Sequence, residues 1–308
     1  MKKVVVTGGA GFIGSHIVDA LVASDAEVIV LDDFSTGKRE NIAHVLDKIE
    51  LLEGSIVDAV LLKRAFVGAH AVIHLAALPS VSKSIELPME TNLVNEVGTL
   101  SVFTAARDAD VERVVYASSS SVYGDTPTLP KVETMPTNPL SPYAVQKLTA
   151  ELYGRVFYSI YGLKTIGLRY FNIFGPRQDP HSEYSAVIPK FIDRMKRGKK
   201  PIIFGDGEHT RDFTYIDNAV SANLRALDAE RGFGEVYNIA AGSRISLNEL
   251  VEKINDILGT AVLQEYASPR QGDIKDSFAD ISKAKETFGY EPAVTFEEGL
   301  KRTIDSIM

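Results

Sequence analysis

The sequence predicts an α/β protein built on a doubly wound parallel sheet, and three observations predict it. Short apolar runs such as Val4-Val5-Val6 and Val28-Ile29-Val30-Leu31 alternate with segments of helical periodicity, the order that gives strand, helix and strand in one parallel sheet. The first run leads into Gly8-Gly9-Ala10-Gly11-Phe12-Ile13-Gly14 and then into Ile13, Ile17, Val18, Leu21 and Val22 at helical spacing. The second ends in Asp32-Asp33, where a parallel strand delivers a carboxylate to the ligand-binding edge of the sheet.

Composition limits the possibilities. A chain of 308 residues that is 45% hydrophobic and 24% charged can bury a large core in one or two domains. Its net charge of -8 argues against nucleic acid as the main partner. No apolar run approaches the roughly 18 residues of a membrane span, and the N-terminus has no signal-peptide pattern; a cytoplasmic protein is expected. Without cysteine, disulfides and thiolate chemistry are excluded, and the six histidines show no paired ligand spacing, so no metal site is expected.

In order, the glycine turn lets backbone approach a pyrophosphate while a helix N-terminus faces it with unpaired N–H groups. Asp32 would accept ribose hydroxyls and repel a 2′-phosphate, which makes the expected cofactor NAD. Leu51–Ile56 reads as a third strand end and Val72–Ala77 as a fourth strand running into small residues, with His74 a core histidine. Pro88 to Asp108 reads as one long helix, in which Asn95 is structural. Arg113–Ala117 is a fifth strand that ends in Ser118-Ser119-Ser120-Ser121, hydroxyls suited to a sugar.

Ser141 and Pro142 open a helix reaching about Tyr161 and closed by Gly162. Tyr143 and Lys147, four residues apart, share one face of it. An ammonium beside a phenol favours the phenolate, a general base; lowering a tyrosine from about 10 to near 7 takes roughly 4 kcal/mol, expected from one ammonium plus a positively charged cofactor. Lys164–Leu168 forms a sixth strand, and Val236–Ala240 returns late to the same sheet, so the two parts of the chain should interleave. Ser246 to Leu258 reads as an amphipathic helix, and a final helix starts at Phe296.

Gly8-x-x-Gly11-x-x-Gly14 combined with Tyr143-x-x-x-Lys147 resembles the extended short-chain dehydrogenase/reductase superfamily, and over essentially the whole chain the pattern is most similar to the UDP-hexose 4-epimerases. The resemblance implies a Rossmann-like NAD-binding domain of residues 1–170 plus 214–242, and a smaller α/β UDP-sugar domain of residues 171–213 plus 243–308. It implies Ser119, Tyr143 and Lys147 as catalytic residues. It also implies Gly8, Gly11, Phe12, Ile13, Gly14, Asp32, Ser55, Ile56 and Ala76 around the cofactor, together with Tyr143 and Lys147. Ser55 stands where the family usually holds the adenine through an Asp, and Asp58 is a candidate for that role. On the substrate side the resemblance points to Ser80, Ser119, Ser120, Tyr143, Asn172 within Arg169–Pro176, Val187 beside the uracil, Arg211 and Arg270 on the diphosphate, Asp273, and Ser277.

Related dehydratases carry an Asp-Glu pair after the catalytic Ser/Thr, where this chain has Ser120 and Ser121, so elimination is disfavoured. Ser277 occupies the place of a tyrosine in epimerases restricted to UDP-glucose and UDP-galactose, and with Ala77–Ser84 it resembles the subgroup acting on UDP-N-acetylhexosamines. That subgroup usually has a Gly in place of Pro79. Interconversion of UDP-GlcNAc and UDP-GalNAc is therefore expected, with some activity on UDP-Glc and UDP-Gal. The rivals are a UDP-uronate 4-epimerase, which needs cations such as Lys83 or Arg177 around a C6 carboxylate, and a non-catalytic NAD-binding sensor, which the intact Ser/Tyr/Lys set disfavours. The family's usual assembly is a homodimer through helices 88–108 and 142–161.

Overall fold

Val4, Val5 and Val6 are each 1% exposed or less, as required of a strand covered on both faces. They lie in β1 (Lys3–Thr7), followed by the glycine turn, α1 (Phe12–Ala23), β2 (Glu27–Asp32), β3 (Ile49–Glu53), α2 (Ala59–Phe66) and β4 (Ala71–His74). Next come α3 (Val81–Glu86), α4 (Pro88–Asn92), a π-helical turn at Leu93–Gly98, α5 (Thr99–Asp108), β5 (Arg113–Ser119), α6 (Pro142–Tyr161) and β6 (Lys164–Tyr170). The remainder contains β7 (Ile173–Phe174), α7 (Val187–Lys196), β8 (Ile202–Phe204), β9 (Thr210–Arg211), β10 (Thr214–Tyr215), α8 (Ile216–Leu227) and β11 (Glu235–Ile239). It closes with β12 (Ile245–Ser246), α9 (Leu247–Leu258), β13 (Glu265–Ala267), α10 (Ser282–Phe288) and α11 (Phe296–Asp305). The computed structural model describes residues 2–180, 186–268 and 276–307.

Seven parallel strands form the main sheet in the order β11-β6-β5-β4-β1-β2-β3. The order reverses between β1 and β4, which opens a crevice at their carboxyl ends. One face packs Val4, Val6, Val28, Val30 and Ile73 against α1 and α8; the other packs Val5, Ile29, Val72 and Val114 against α2, α5 and α6. A third apolar cluster joins α7, α9 and α11 around Phe174, Phe213 and Phe296, with Phe213 and Phe296 stacked at 5.6 Å.

The helix that carries Tyr143 has the ends its sequence specifies. Ser141 Oγ accepts from Ala144 N at 3.2 Å, Pro142 occupies the first turn, and Gly162 closes the helix in the left-handed region at φ 73°. The expected straight helix over 88–108 is instead interrupted by the π turn at Leu93–Gly98. The wider turn rotates Asn95 inward, where it is 3% exposed, and lets Gly98 pack on Ile56; a Cβ at Gly98 would lie 2.6 Å from Ile56 Cδ1. One polar contact and one close approach thus displace a regular ladder.

Candidate active site

At the crevice between β1 and β4, the glycines divide into two kinds. A Cβ on Gly8, at φ 72°, would lie 2.6 Å from Ala76 N, and one on Gly14 only 2.1 Å from Gly8 O. Those two let the turn pack on itself and on the β4 strand end. Gly11 is different: its φ of -74° suits any residue, and its Cβ would meet only Gly8 O, at 3.2 Å. It opens α1 without a side-chain cap, which leaves the first N–H groups of the helix available to an anion. Phe12 and Ile13 form the first turn of α1 and pack into the third apolar cluster.

Asp32 is 6% exposed. Its Oδ2 accepts from Ala10 N at 2.8 Å and its Oδ1 from Phe34 N at 2.9 Å, so it braces the glycine turn and keeps lone pairs for ribose hydroxyls. Burial raises its pKa, opposed by those two amides. Asp58 caps α2, its Oδ1 accepting from Val60 N at 2.9 Å and Leu61 N at 3.0 Å, because the helix needs that cap. Ser55 keeps only a 3.5 Å contact from Val57 N, and the side chain of Ile56 is 3% exposed and packed into the sheet's core.

Ser119 ends β5, and Tyr143 and Lys147 lie one turn apart on α6, which packs across that strand. The Tyr143 hydroxyl hydrogen-bonds Ser119, and Ser119 Oγ also accepts from Ser121 N at 3.2 Å. Lys147 Nζ donates to Ala117 O at 2.9 Å and lies 5.8 Å from the Tyr143 ring centroid. The expected low phenol pKa is not a property of the chain alone. Burial pushes Tyr143 up to about 12, the Ser119 hydrogen bond only partly opposing it, and burial brings Lys147 down to about 8. The buried ammonium has one carbonyl acceptor and two further N–H bonds to give. That donor set, the open end of α1 and the Asp32 carboxylate together fit a dinucleotide with free ribose hydroxyls.

Several residues that hold this geometry have no local signature. His74, a core histidine as expected, is held far below its usual pKa, at about 3, by burial and then by Lys147. Thr7 Oγ1 donates to His74 Nδ1 at 2.7 Å, His74 Nε2 donates to Thr99 Oγ1 at 3.0 Å, and Thr99 Oγ1 donates to Asn95 O at 2.6 Å. Ala76 N in turn donates to Thr7 Oγ1 at 3.4 Å. The Asn95 amide holds both N and O of Leu78 and donates to Gln146 Oε1 at 2.7 Å. Beneath the catalytic face, Arg169 makes a two-pronged pair with Glu151 at 2.8 and 2.7 Å, each side chain 4% exposed. The Ser118 hydroxyl donates to the same Glu151 carboxylate.

Beyond β6 a cleft of about 280 Å³ is lined by Asn172, Val187, Phe204, His209, Arg211 and Phe213, among others. Val187 both starts α7 and lines the cleft. Phe204 and His209 were not singled out by sequence, since only the pairing of β8 with β13 and the fold of the 205–209 turn bring them here. Asn172 sits at φ 40°; its Nδ2 donates to Asp212 O at 3.0 Å and reaches Ser277 Oγ at 3.4 Å. Ser277 is 9% exposed. Ser80 caps α3, accepting from Lys83 N at 3.0 Å, and Ser120 starts the short 3-10 turn after β5. Arg270 and Asp273 lie outside the described residues. Lys83 pairs with Glu90 at 2.7 Å and Arg177 with Asp19 at 2.7 Å, so both cations proposed for a uronate carboxylate are engaged elsewhere.

Comparison with known proteins agrees with this construction. Residues 4–240 match the model of the NAD dependent epimerase/dehydratase family. A putative UDP-glucose 4-epimerase of Methanocaldococcus jannaschii is 40% identical over 304 residues, covering 98% of this chain and 97% of its own. The structure of a UDP-N-acetylglucosamine 4-epimerase from Methanobrevibacter ruminantium, in complex with UDP-N-acetylmuramic acid, superposes with a TM-score of 0.96 at 42% identity, covering 99% and 98% of the two chains. That of a Thermus thermophilus UDP-glucose 4-epimerase in complex with NAD gives 0.90 at 37% identity, with 99% and 98% covered. The chain belongs to the NAD dependent epimerase/dehydratase family.

Proposed function

We propose that this protein is an NAD-dependent UDP-sugar 4-epimerase acting through a 4-keto sugar, with UDP-GlcNAc and UDP-GalNAc as the preferred pair. The observation that carries the reading is the Tyr143–Ser119 hydrogen bond beside buried Lys147, at a strand end whose next two residues are serines rather than acids. A phenol and a hydroxyl can move one proton to and from a sugar oxygen; without a carboxylate beside them, nothing protonates a leaving hydroxyl.

The open end of α1, Asp32 and Lys147 would hold NAD, whose chemistry would be to accept a hydride from C4 and to supply it again to the opposite face of the ketone. Tyr143 removes the proton of the C4 hydroxyl as that bond is oxidised and gives it back on reduction. Ser119, bonded to the phenol, steadies the same oxygen and relays the proton. Lys147 donates to ribose hydroxyls and favours the phenolate. Arg211 grips the diphosphate with a fork of donors, while Val187, Phe204 and His209 enclose the base.

The sugar preference rests on Ser277. A small side chain beside Asn172 leaves room at the sugar C2 substituent that a tyrosine would fill. We place the division between cofactor and substrate domains at residues 170/171, 213/214 and 242/243, and take Met89, Leu93, Val97, Val145, Leu152 and Val156, exposed at helical spacing on the two long helices, to be the contact with a second copy. The deciding experiment incubates purified protein, without added cofactor, with UDP-GlcNAc, UDP-glucose or UDP-glucuronate and resolves the C4 epimers. UDP-GalNAc formed faster than UDP-galactose is the expected result. UDP-galactose alone would keep the chemistry and remove the Ser277 argument; no epimer, even with NAD supplied, would remove the reading.

A further inference from the structure

Asp212 is a buried carboxylate that the reaction does not use. It is 0% exposed, and backbone amides surround it. Its Oδ1 accepts from Ala241 N at 2.9 Å and its Oδ2 from Ala279 N at 3.4 Å, and the amides of Gly242 and Ser243 also bond to it. A fully buried acid held by amides from two distant segments is expensive unless the arrangement it fixes is needed.

Those segments are the walls of the cleft. Asp212 lies between Arg211 and Phe213, both of which line it. Its own carbonyl accepts from Asn172 Nδ2. Residues 276–279 carry Ser277 and are pinned to the same place a second time, by Ser277 N donating to Thr210 O at 3.1 Å and Thr210 Oγ1 donating to Asp276 Oδ1 at 2.6 Å. Ala241 to Ser243 follow β11, at the edge of the main sheet. One carboxylate thus joins the diphosphate wall, the sugar wall and the cofactor-binding sheet.

We propose that Asp212 is a positioning residue that holds Arg211, Asn172 and Ser277 in one fixed arrangement and so sets the affinity for the nucleotide sugar, without acting in the chemical step. The inference rests on the UDP-sugar reading. Walls fixed before the ligand arrives need no ordering when it binds. Ser119, Tyr143 and Lys147 stand on β5 and α6, elements that carry none of these contacts, so loss of Asp212 acts on binding.

Ionisation gives a second handle on the same residue. Burial raises the Asp212 carboxyl to about 7 in spite of the amides, so acidification removes acceptors from amides that have no substitute. The neighbouring ionisable groups are Tyr290, whose hydroxyl donates to Ala240 O at 2.8 Å and whose pKa is pushed up by burial and by Asp212; Arg211 beside it in the chain; Asp276 and Asp280 at either end of the wall segment; Arg244, 5.3 Å over the Phe278 ring; and His209 across the cleft.

The test compares wild type and Asp212→Asn, using whichever of UDP-GlcNAc and UDP-glucose the wild type turns over, with bound NAD and the thermal midpoint measured alongside. The variant should raise KM and the calorimetric Kd for UDP at least tenfold, with kcat within threefold and NAD content unchanged. In the wild type, KM should rise as pH falls through about 7, and the variant should be flat over that range. A pH dependence that persists in the variant overturns the assignment, as does a wild-type KM in the variant or a loss confined to kcat. If the variant does not fold, the wild-type profile decides: a KM constant between pH 6 and 8 overturns the proposal. A wild type inactive on every UDP-sugar defeats the functional reading instead.

Discussion

The base requires a phenolate near neutral pH, yet burial holds Tyr143 at about 12. Bringing it to about 7 means about five pKa units, or about 7 kcal/mol of differential stabilisation. The Lys147 ammonium, 5.8 Å from the ring centroid, supplies about 3 kcal/mol at an effective dielectric near 20, or about two units. It does so only while protonated, and burial has brought Lys147 itself down to about 8. In the cofactor-free chain the amine therefore loses its proton before the phenol does. The remaining ~4 kcal/mol, about three units, has to come from bound NAD, through its positive ring and through ribose hydroxyls that hold Lys147 protonated. The assay is tyrosinate absorbance against pH, taken as wild type minus Tyr143→Phe, for enzyme loaded with NAD, loaded with NADH and stripped. A midpoint near 7 is expected with NAD, and a higher one with the uncharged reduced ring, by less than about three units because the ribose hydroxyls that hold Lys147 protonated remain. Lys147→Met should raise the NAD-form midpoint by about two units and cut turnover at pH 7 about a hundredfold. A Tyr143-dependent midpoint near 7 in stripped protein, or equal midpoints with NAD and NADH, would refute this division of the energy.

Four further outcomes follow from particular contacts. Gly14→Ala drives a Cβ to 2.1 Å from Gly8 O and should lower stability by about 2–3 kcal/mol in urea unfolding, whereas Gly11→Ala, whose Cβ meets only Gly8 O at 3.2 Å, should fold and bind NAD more weakly. Arg169→Met leaves Glu151 buried without its partner and should cost about 3–5 kcal/mol, most of it recovered by adding Glu151→Leu; an unstable double variant would show that packing, not charge, is at stake. Ser277→Tyr should abolish turnover of the N-acetylated substrates and spare UDP-glucose, and equal loss of both would sink the gatekeeper role. If the proposed contact with a second copy holds, the wild type should sediment as a dimer and the Leu93→Glu, Leu152→Glu double variant as a monomer at the same concentration.

What the sequence made legible was whatever is decided within a few residues. Gly8 and Gly14 declare the turn because a Cβ is excluded there, and Ser141, Pro142 and Gly162 mark both ends of the helix that brings Tyr143 and Lys147 to one face. Contacts across the fold had no such signal. That Asp58 caps α2 depends on where that helix starts. The inward turn of Asn95 depends on Leu78 and Gln146, 17 and 51 residues away. Ser118 and Arg169 become neighbours only through the register of β5 with β6, and Asp212 draws on amides 29 and 67 residues further on. The size of the shift that Tyr143 needs was hidden for a related reason: spacing identifies its lysine, but the cost of burial belongs to the whole packed site.

An epimerase of this kind has opposite requirements at the two ends of its substrate. The 4-keto sugar must turn over while the rest of the molecule stays bound, so the walls cannot be uniformly tight or uniformly loose. On the proposed reading the nucleotide end would be enclosed by Val187, Phe204, Phe213 and Arg211, with backbone pinned through Asp212. The sugar end would be bounded by Ser119, Asn172 and Ser277, short side chains that offer hydrogen bonds with little bulk. The same contrast runs through the catalytic pair. Tyr143 is held in place by Ser119, by Ser84 Oγ accepting its backbone N at 3.0 Å and by the Glu151–Arg169 pair below the helix, while its charge state is left to the cofactor. Fixing the position of the base and leaving its ionisation to NAD would confine proton abstraction to the loaded, oxidised enzyme. The reduced enzyme, with an uncharged ring and a phenol that holds its proton, is then ready to return that proton and the hydride together.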